Sequence, residues 1–277
     1  MMNGDTRIIA HVGYPTTTFK SSMIYNPWFD RHGINAAVVP LGVTGDNFGR
    51  AFPEICRLTN FHGALITMPH KVSVIALLDE VSTAVKVAGS CNAVRRDEHG
   101  RLVGDMFDGE GFVRGMAHNG RSISGKTLLV VGSGGVGSAI AASAAAAGAA
   151  EIAVYDVTAA SMEALAGRLR QNYSRLKVSL GSSDPAGFDV VVNATPLGMK
   201  AGDPMPLDPS RLSPSTYVGE VVMKQETTAF LAAAQARGCT TQIGIDMLFE
   251  QIPAYLEFFG FPATTASELR EVAQVDY

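Results

Sequence analysis

The chain has 277 residues, which suits either two ordinary domains or one large α/β unit; 47% are hydrophobic and 17% charged, which excludes the composition of a disordered chain. With 22 Lys and Arg against 26 Asp and Glu the formal net charge is −4, so composition offers no broad basic footprint for nucleic acid or an anionic membrane. A small-molecule partner is expected instead. Cys56, Cys91 and Cys239 show no paired spacing and the histidines are scattered, so no disulfide framework and no metal are expected. The N-terminus lacks a basic segment followed by an apolar core. The most apolar stretch, Val136 to Ala150, is interrupted by Ser138, Ser143 and Gly148 and is shorter than the roughly 20 residues of a spanning helix. The expectation is a soluble, cytoplasmic protein with no membrane partner.

Short β-prone runs at Ile8 to Val12, Ala36 to Pro40 and Gly63 to Thr67 alternate with helical spacing at Met23 to Arg31 and Gly45 to Leu58, a βαβαβ opening. Ser73 to Ala84 predicts one further helix, and Asn92-Ala93-Val94 with Arg101-Leu102-Val103 a short hairpin. A helix from about Gly111 to His118 leads into a second rhythm. Its strands are Lys126 to Val131, Glu151 to Tyr155, Lys177 to Leu180, Asp189 to Asn193, Tyr217 to Val222 and Thr241 to Ile243. Six strands with helical segments between them predict a doubly wound sheet. Asp246 to Phe259 and Ala266 to Val275 read as helices returning to the first domain. The expected organisation is α/β throughout: residues 1–110 completed by 246–277, and a Rossmann-like domain over 111–245.

The segment Val130-Val131-Gly132-Ser133-Gly134-Gly135-Val136-Gly137 sets G-x-G-x-x-G directly after a strand and before a small-residue helix. Gly132 permits the tight turn, Gly134 lets backbone approach a pyrophosphate, and Gly137 lets the helix pack close to the sheet. With Gly135 and Val136 they put the helix N-terminus toward the phosphates. Asp156 ends the next strand about 20 residues on, where a carboxylate accepts hydrogen bonds from a ribose diol and repels a 2′-phosphate. NAD is therefore expected in preference to NADP, because Arg168 lies too far along the next helix to compensate.

Lys71 follows a strand that ends Thr67-Met68-Pro69-His70, and Asp108 lies in the glycine-flanked Asp105-Met106-Phe107-Asp108-Gly109. Spacing alone reads the first as a solvated charge and the second as an Asx turn. Together with Gly13-Tyr14-Pro15, Lys20-Ser21, Asn92-Ala93, the glycine loop, Asn193-Ala194-Thr195-Pro196-Leu197-Gly198-Met199, and Met247-Leu248 followed by Gln251, these segments resemble the shikimate/quinate dehydrogenase family over nearly the whole chain. The resemblance implies an N-terminal α/β substrate domain, an inserted NAD(P)-binding domain and an active site in the cleft. Lys71 and Asp108 would flank the alcohol being oxidised, with Ser21, Thr67, Asn92 and Gln251 on the substrate. Asn193, Thr195, Val221 and Gly244 would join the cofactor-binding set. The activity implied is reversible NAD(P)-dependent oxidation of a ring secondary alcohol in a cyclic hydroxy acid, shikimate to 3-dehydroshikimate or quinate to 3-dehydroquinate, by a monomer or homodimer.

Two positions depart from the family pattern. Where the family places hydroxyl residues on the substrate carboxylate, this chain has Phe19-Lys20-Ser21, which leaves the anion to Ser21 with Ser22, Thr18 or Lys20, or calls for another substrate. A family tyrosine is matched by Met223. The alternatives are a divergent member acting on another cyclic polyol or an aminoshikimate-like substrate, and a non-catalytic NAD-binding sensor.

Overall fold

The structure is a computed structural model that describes residues 2–223 and 227–275. Its contacts divide the chain into two units, one of Met1–Val85, Ser90–Phe107 and Ile252–Tyr277, the other of Lys86–Gly89 and Asp108–Gln251.

The first unit opens with β1 (Arg7–Gly13), α1 (Ser22–Arg31), β2 (Ala36–Gly42), α2 (Gly45–Cys56) and β3 (Phe61–Ile66). β1 pairs in parallel with β2 on one side and β3 on the other. The run predicted as one helix over Ser73 to Ala84 breaks into a 3-10 turn at Ser73–Leu77, a two-residue strand β4 (Glu80–Val81) and a helix α3 (Thr83–Ala88). The reason is a long-range competitor for the backbone. Asp79 exchanges hydrogen bonds with Leu102, N to O at 2.9 Å and Leu102 N to the Asp79 carboxylate at 2.7 Å, drawing the segment onto a sheet edge. Ser82 then starts a fresh helix by accepting from Val85 N at 3.2 Å. The expected hairpin forms from β5 (Ala93–Arg96) and β6 (Leu102–Asp105), giving a mixed sheet in the order β2-β1-β3-β5-β6-β4.

The second unit begins with α4 (Asp108–His118), three residues earlier than the spacing predicts. Two glycines in the first turn lower helix propensity, and packing overrides it. A Cβ on Gly109 would lie 2.0 Å from the Ala139 carbonyl oxygen, so the glycine admits the next helix at backbone distance. Then come β7 (Thr127–Val131), α5 (Gly135–Ala146), β8 (Glu151–Tyr155), α6 (Ala159–Asn172), β9 (Lys177–Leu180), β10 (Val190–Asn193), β11 (Tyr217–Glu220), α7 (Ala229–Ala236), β12 (Thr240–Gln242) and α8 (Gly244–Phe258). All six strands are parallel, ordered β12-β11-β10-β7-β8-β9. Leu128 and Val130 face one core with Phe112, Met116 and Ile140, while Leu129 and Val131 face another with Phe230 and Leu231. Both faces are covered, which is why these strands read as unbroken apolar runs. The alanine run is the buried α5, whose small side chains let α4 close on it.

The end of the chain belongs to the first unit. α9 (Ala266–Val272), capped by Thr265, packs on α1, with Trp28 Nε1 donating to Thr264 Oγ1 at 3.0 Å and His32 Nε2 2.9 Å from Glu268. Among the described residues no helix is long and apolar enough to cross a membrane.

Candidate functional site

In the first unit the parallel strands β1 and β3 end side by side, and the loops that follow are laced together. Thr67 N donates to Val12 O at 3.0 Å and Tyr14 N to Met68 O at 3.0 Å. Next in line, His70 is a core residue: it is 1% exposed, stacks on Phe48 at 3.9 Å and bonds Val43 O through Nε2 at 2.6 Å. That anchor fixes the turn from which the half-buried Lys71 emerges, and Cys91 N donates to Lys71 O at 2.7 Å. Burial pushes the Cys91 thiol up to about 12, which leaves it unreactive. Asn92 is buried; its carbonyl accepts from Ile66 N at 2.8 Å and its side-chain oxygen from Phe107 N at 2.9 Å, so Thr67 and Asn92 are held at one end of the sheet.

Ser21 stands at the N-cap of α1 but makes no capping bond, because its hydroxyl is hydrogen-bonded to Nδ1 of His11. The His11 ring stacks on Phe19. Burial and then the charge of Lys71 push the imidazole down to about 4. His11 carried no signal in the sequence beyond being a polar residue in an apolar strand. The side chain of Thr18 lies outside the described residues.

In the second unit β7 and β10 are neighbours, with β8 beyond one and β11 beyond the other, so the order reverses between them. Ligands of doubly wound sheets bind at the carboxyl ends of the strands at this point. Gly132 adopts φ 103°, a conformation that favours glycine, and a Cβ there would lie 2.9 Å from the Ala194 backbone; at Gly137 it would lie 1.9 Å from Gly132 O. Gly134, by contrast, has nothing within 4 Å of its absent Cβ, and Gly134 and Gly135 are exposed ahead of the half-buried Val136 in α5. An open backbone face at the N-terminus of a twelve-residue helix fits the pyrophosphate of a dinucleotide.

Asp156 reaches back to that loop: one carboxylate oxygen accepts from Ser133 N at 2.6 Å and Ser133 Oγ at 2.8 Å, the other from Thr158 N at 2.8 Å. Burial works against its ionisation, but the hydrogen bonds from Ser133 and Thr158 outweigh it and hold the carboxyl below the usual range. Across the switch point, Asn193 accepts from Thr195 N and Oγ1 and donates to Leu197 O at 3.0 Å, shaping the loop after β10. Beside it Glu220, fully buried, accepts from Thr228 Oγ1 at 2.8 Å; burial pushes its carboxyl up to about 7 against the hydrogen bonds of Thr228 and Asn193. Glu220 is a group that sequence reasoning passed over, although a lone acid in the run Tyr217 to Val222 was visible. Val221 donates to Asn193 O at 3.2 Å, and Gly244 opens α8 with its absent Cβ 2.5 Å from Val222 O. Met223 is 53% exposed.

Asp108 is 7% exposed at the first residue of α4, a helix start rather than the expected isolated turn. Gln251 on α8 is 8% exposed, and its side-chain oxygen has no hydrogen-bond partner among the described residues. Ser21, Thr67, Lys71 and Asn92 thus belong to the first unit, and Asp108, Gln251 and the cofactor-binding set to the second.

Residues 12–94 match the family model described as the shikimate dehydrogenase substrate binding domain. A relative from Rubrobacter xylanophilus, named shikimate dehydrogenase (NADP(+)), is 34% identical over 254 residues, 90% of this chain and 89% of its own. The crystal structure of shikimate 5-dehydrogenase from Listeria monocytogenes, in complex with shikimate and NAD, superposes with a TM-score of 0.91 at 25% identity, covering 98% of this chain and 97% of that one. The ligand-free 5-ketofructose reductase of a Gluconobacter strain gives 0.88 at 26% identity, covering 97% and 98%. An α/β unit matched to a substrate-binding domain, followed by a Rossmann-like unit with an open glycine loop, defines a dehydrogenase that uses a nicotinamide dinucleotide. The chain belongs to the shikimate dehydrogenase family. These comparisons support the dinucleotide but not the preference for NAD expected from Asp156, since the curated relative is named for NADP(+).

Proposed function

We propose that the protein is an oxidoreductase of the shikimate dehydrogenase type, interconverting a ring secondary alcohol and its ketone, with shikimate and quinate the first substrates to test. The observation that carries this is family membership along nearly the whole chain together with Lys71 and Asp108 in their motifs. In this reading 1–110 with 246–277 bind substrate and 111–245 bind the dinucleotide. The bound nicotinamide supplies or accepts the hydride. Reduction of the ketone also consumes a proton, which the Lys71 ammonium gives from Nζ, and oxidation returns the hydroxyl proton to the neutral amine so formed, while the Asp108 carboxylate accepts a hydrogen bond that orients the reacting group. Asn92 and Thr67 bind polar groups of the substrate, and the Gln251 oxygen, which has no hydrogen-bond partner among the described residues, accepts from a substrate hydroxyl. Gly132 to Gly137 hold the pyrophosphate, Asp156 the adenosine ribose, and Asn193, Thr195, Val221 and Gly244 shape the nicotinamide end. A ribose diol met by Asp156, with no arginine in Asp156-Val157-Thr158, supports NAD as the preferred coenzyme.

A second reading, a divergent member acting on another polyol, is favoured by the Phe19 ring stacked on His11 and by Met223. The similar Gluconobacter protein is named for a ketosugar. Initial rates of NAD and NADP reduction with shikimate and with quinate test the first reading: saturable reduction supports it. Silence on both acids, with turnover of a neutral polyol, replaces it with the second.

A further inference from the structure

Three side chains at the end of β1 form a corner whose proton count limits what it can bind. The His11 ring lies on Phe19 with centroids 3.9 Å apart and planes 20° apart, and its Nδ1 is joined to the Ser21 hydroxyl. Phe19 also covers Gly13, where a Cβ would stand 2.9 Å from its ring and 2.4 Å from Cγ2 of Thr67, so the corner is continuous with Thr67. The charge acting on the imidazole is that of Lys71, from the segment after β3, and with burial it pushes the ring down to about 4.

A neutral imidazole and a hydroxyl own two protons between them, and their mutual hydrogen bond occupies one in either tautomer. One donor remains, at Nε2 or at Ser21 Oγ. The Phe19 face supplies none. A hydroxyl or carbonyl of a ligand is satisfied by one donor, and a hydroxyl can return its own proton to the atom left bare. A carboxylate only accepts, through two oxygens, and it desolvates at a cost unless several donors meet it. The pair can offer a further donor only by protonating the ring, which burial and Lys71 both oppose.

We propose that the corner of His11, Phe19 and Ser21 recognises an uncharged hydroxyl or carbonyl of the substrate, so that the enzyme prefers a neutral polyhydroxylated alcohol or ketone to the corresponding carboxylate. His11 is the specificity-determining residue. This deepens the oxidoreductase reading and rests on it for the identity of the site.

The test is calorimetric binding of shikimate and of its methyl ester, which differ in charge at one group, to the full chain saturated with NADH at pH 8 and pH 5.5. The ester is expected to bind at least tenfold more tightly than the acid at pH 8. The gap narrows at pH 5.5, because acid binding takes up a proton on His11. In Phe19→Ser the acid gains on the ester, and in His11→Val the pH dependence of acid binding disappears; a merely structural role for the ring would move neither ratio. Acid binding as tight as ester binding at pH 8, or no binding of either ligand, overturns the proposal. The predicted ester preference without hydride transfer would keep the corner assignment and defeat the oxidoreductase reading instead.

Discussion

Asp156 accepts hydrogen bonds from both the N–H and the hydroxyl of Ser133, at 2.6 and 2.8 Å, so the acid at the end of β8 is built into the glycine loop. The carboxylate that would greet a ribose also holds the loop that would greet the pyrophosphate. Wild-type kcat/KM is therefore expected to be higher with NAD than with NADP. Asp156→Ala should lower the NAD:NADP ratio at least tenfold while raising KM for both coenzymes. Steady-state kinetics with each coenzyme checks this, and a wild-type preference for NADP contradicts it.

With Lys71 as the proposed proton carrier, its removal should slow turnover more than it weakens binding. Lys71→Ala is expected to lower kcat by about 10²- to 10⁴-fold, the range for general acid–base catalysis, with KM changed only severalfold. Near-normal kcat would remove Lys71 from the mechanism.

Gly109→Ala separates propensity from packing. Propensity alone predicts a gain of about 1 kcal/mol. The new Cβ, 2.0 Å from the Ala139 carbonyl oxygen, would force α4 and α5 apart, and overpacking of this kind costs about 1–3 kcal/mol. Urea denaturation should show net destabilisation; a stabilised variant would show that the helices are not held at this distance.

The buried carboxyl of Glu220 makes a prediction with a definite sign. Its value of about 7 lies above the ordinary 4.5, so the folded protein keeps a proton that the unfolded chain releases. Its contribution is present in full below pH 4.5 and is lost as the pH rises through 7, by up to about 3 kcal/mol. Glu220→Gln, which cannot ionise, should raise Tm relative to wild type at pH 8 and leave it nearly unchanged at pH 4.5. Equal shifts at the two pH values would contradict the raised value.

The parts of the fold read in advance are those encoded locally. The apolar runs of β7, β8 and β10 and the glycine loop specify a parallel, two-faced sheet without reference to anything distant. Ser73 to Ala84 failed as a helix because Asp79 finds Leu102, 23 residues away, and nothing in its own spacing announces that partner. Spacing reads Asp108 as a turn because the benefit of Gly109 lies in Ala139, on another helix. Lys71, Thr67 and Asn92 are candidate site residues on family resemblance alone, whereas His11 and Glu220 owe their character to burial and neighbours brought from elsewhere in the chain.

Hydride transfer from a secondary alcohol to the nicotinamide is read most cleanly by isotope transfer. Substrate alcohol carrying deuterium at the carbinol carbon, offered as shikimate and as its methyl ester, is incubated with the enzyme and NAD or NADP. Mass spectrometry of the recovered coenzyme should find one deuterium on the reduced dinucleotide, and Lys71→Ala should slow its appearance. Coenzyme and substrate binding without any deuterium in the dinucleotide would rule out hydride transfer.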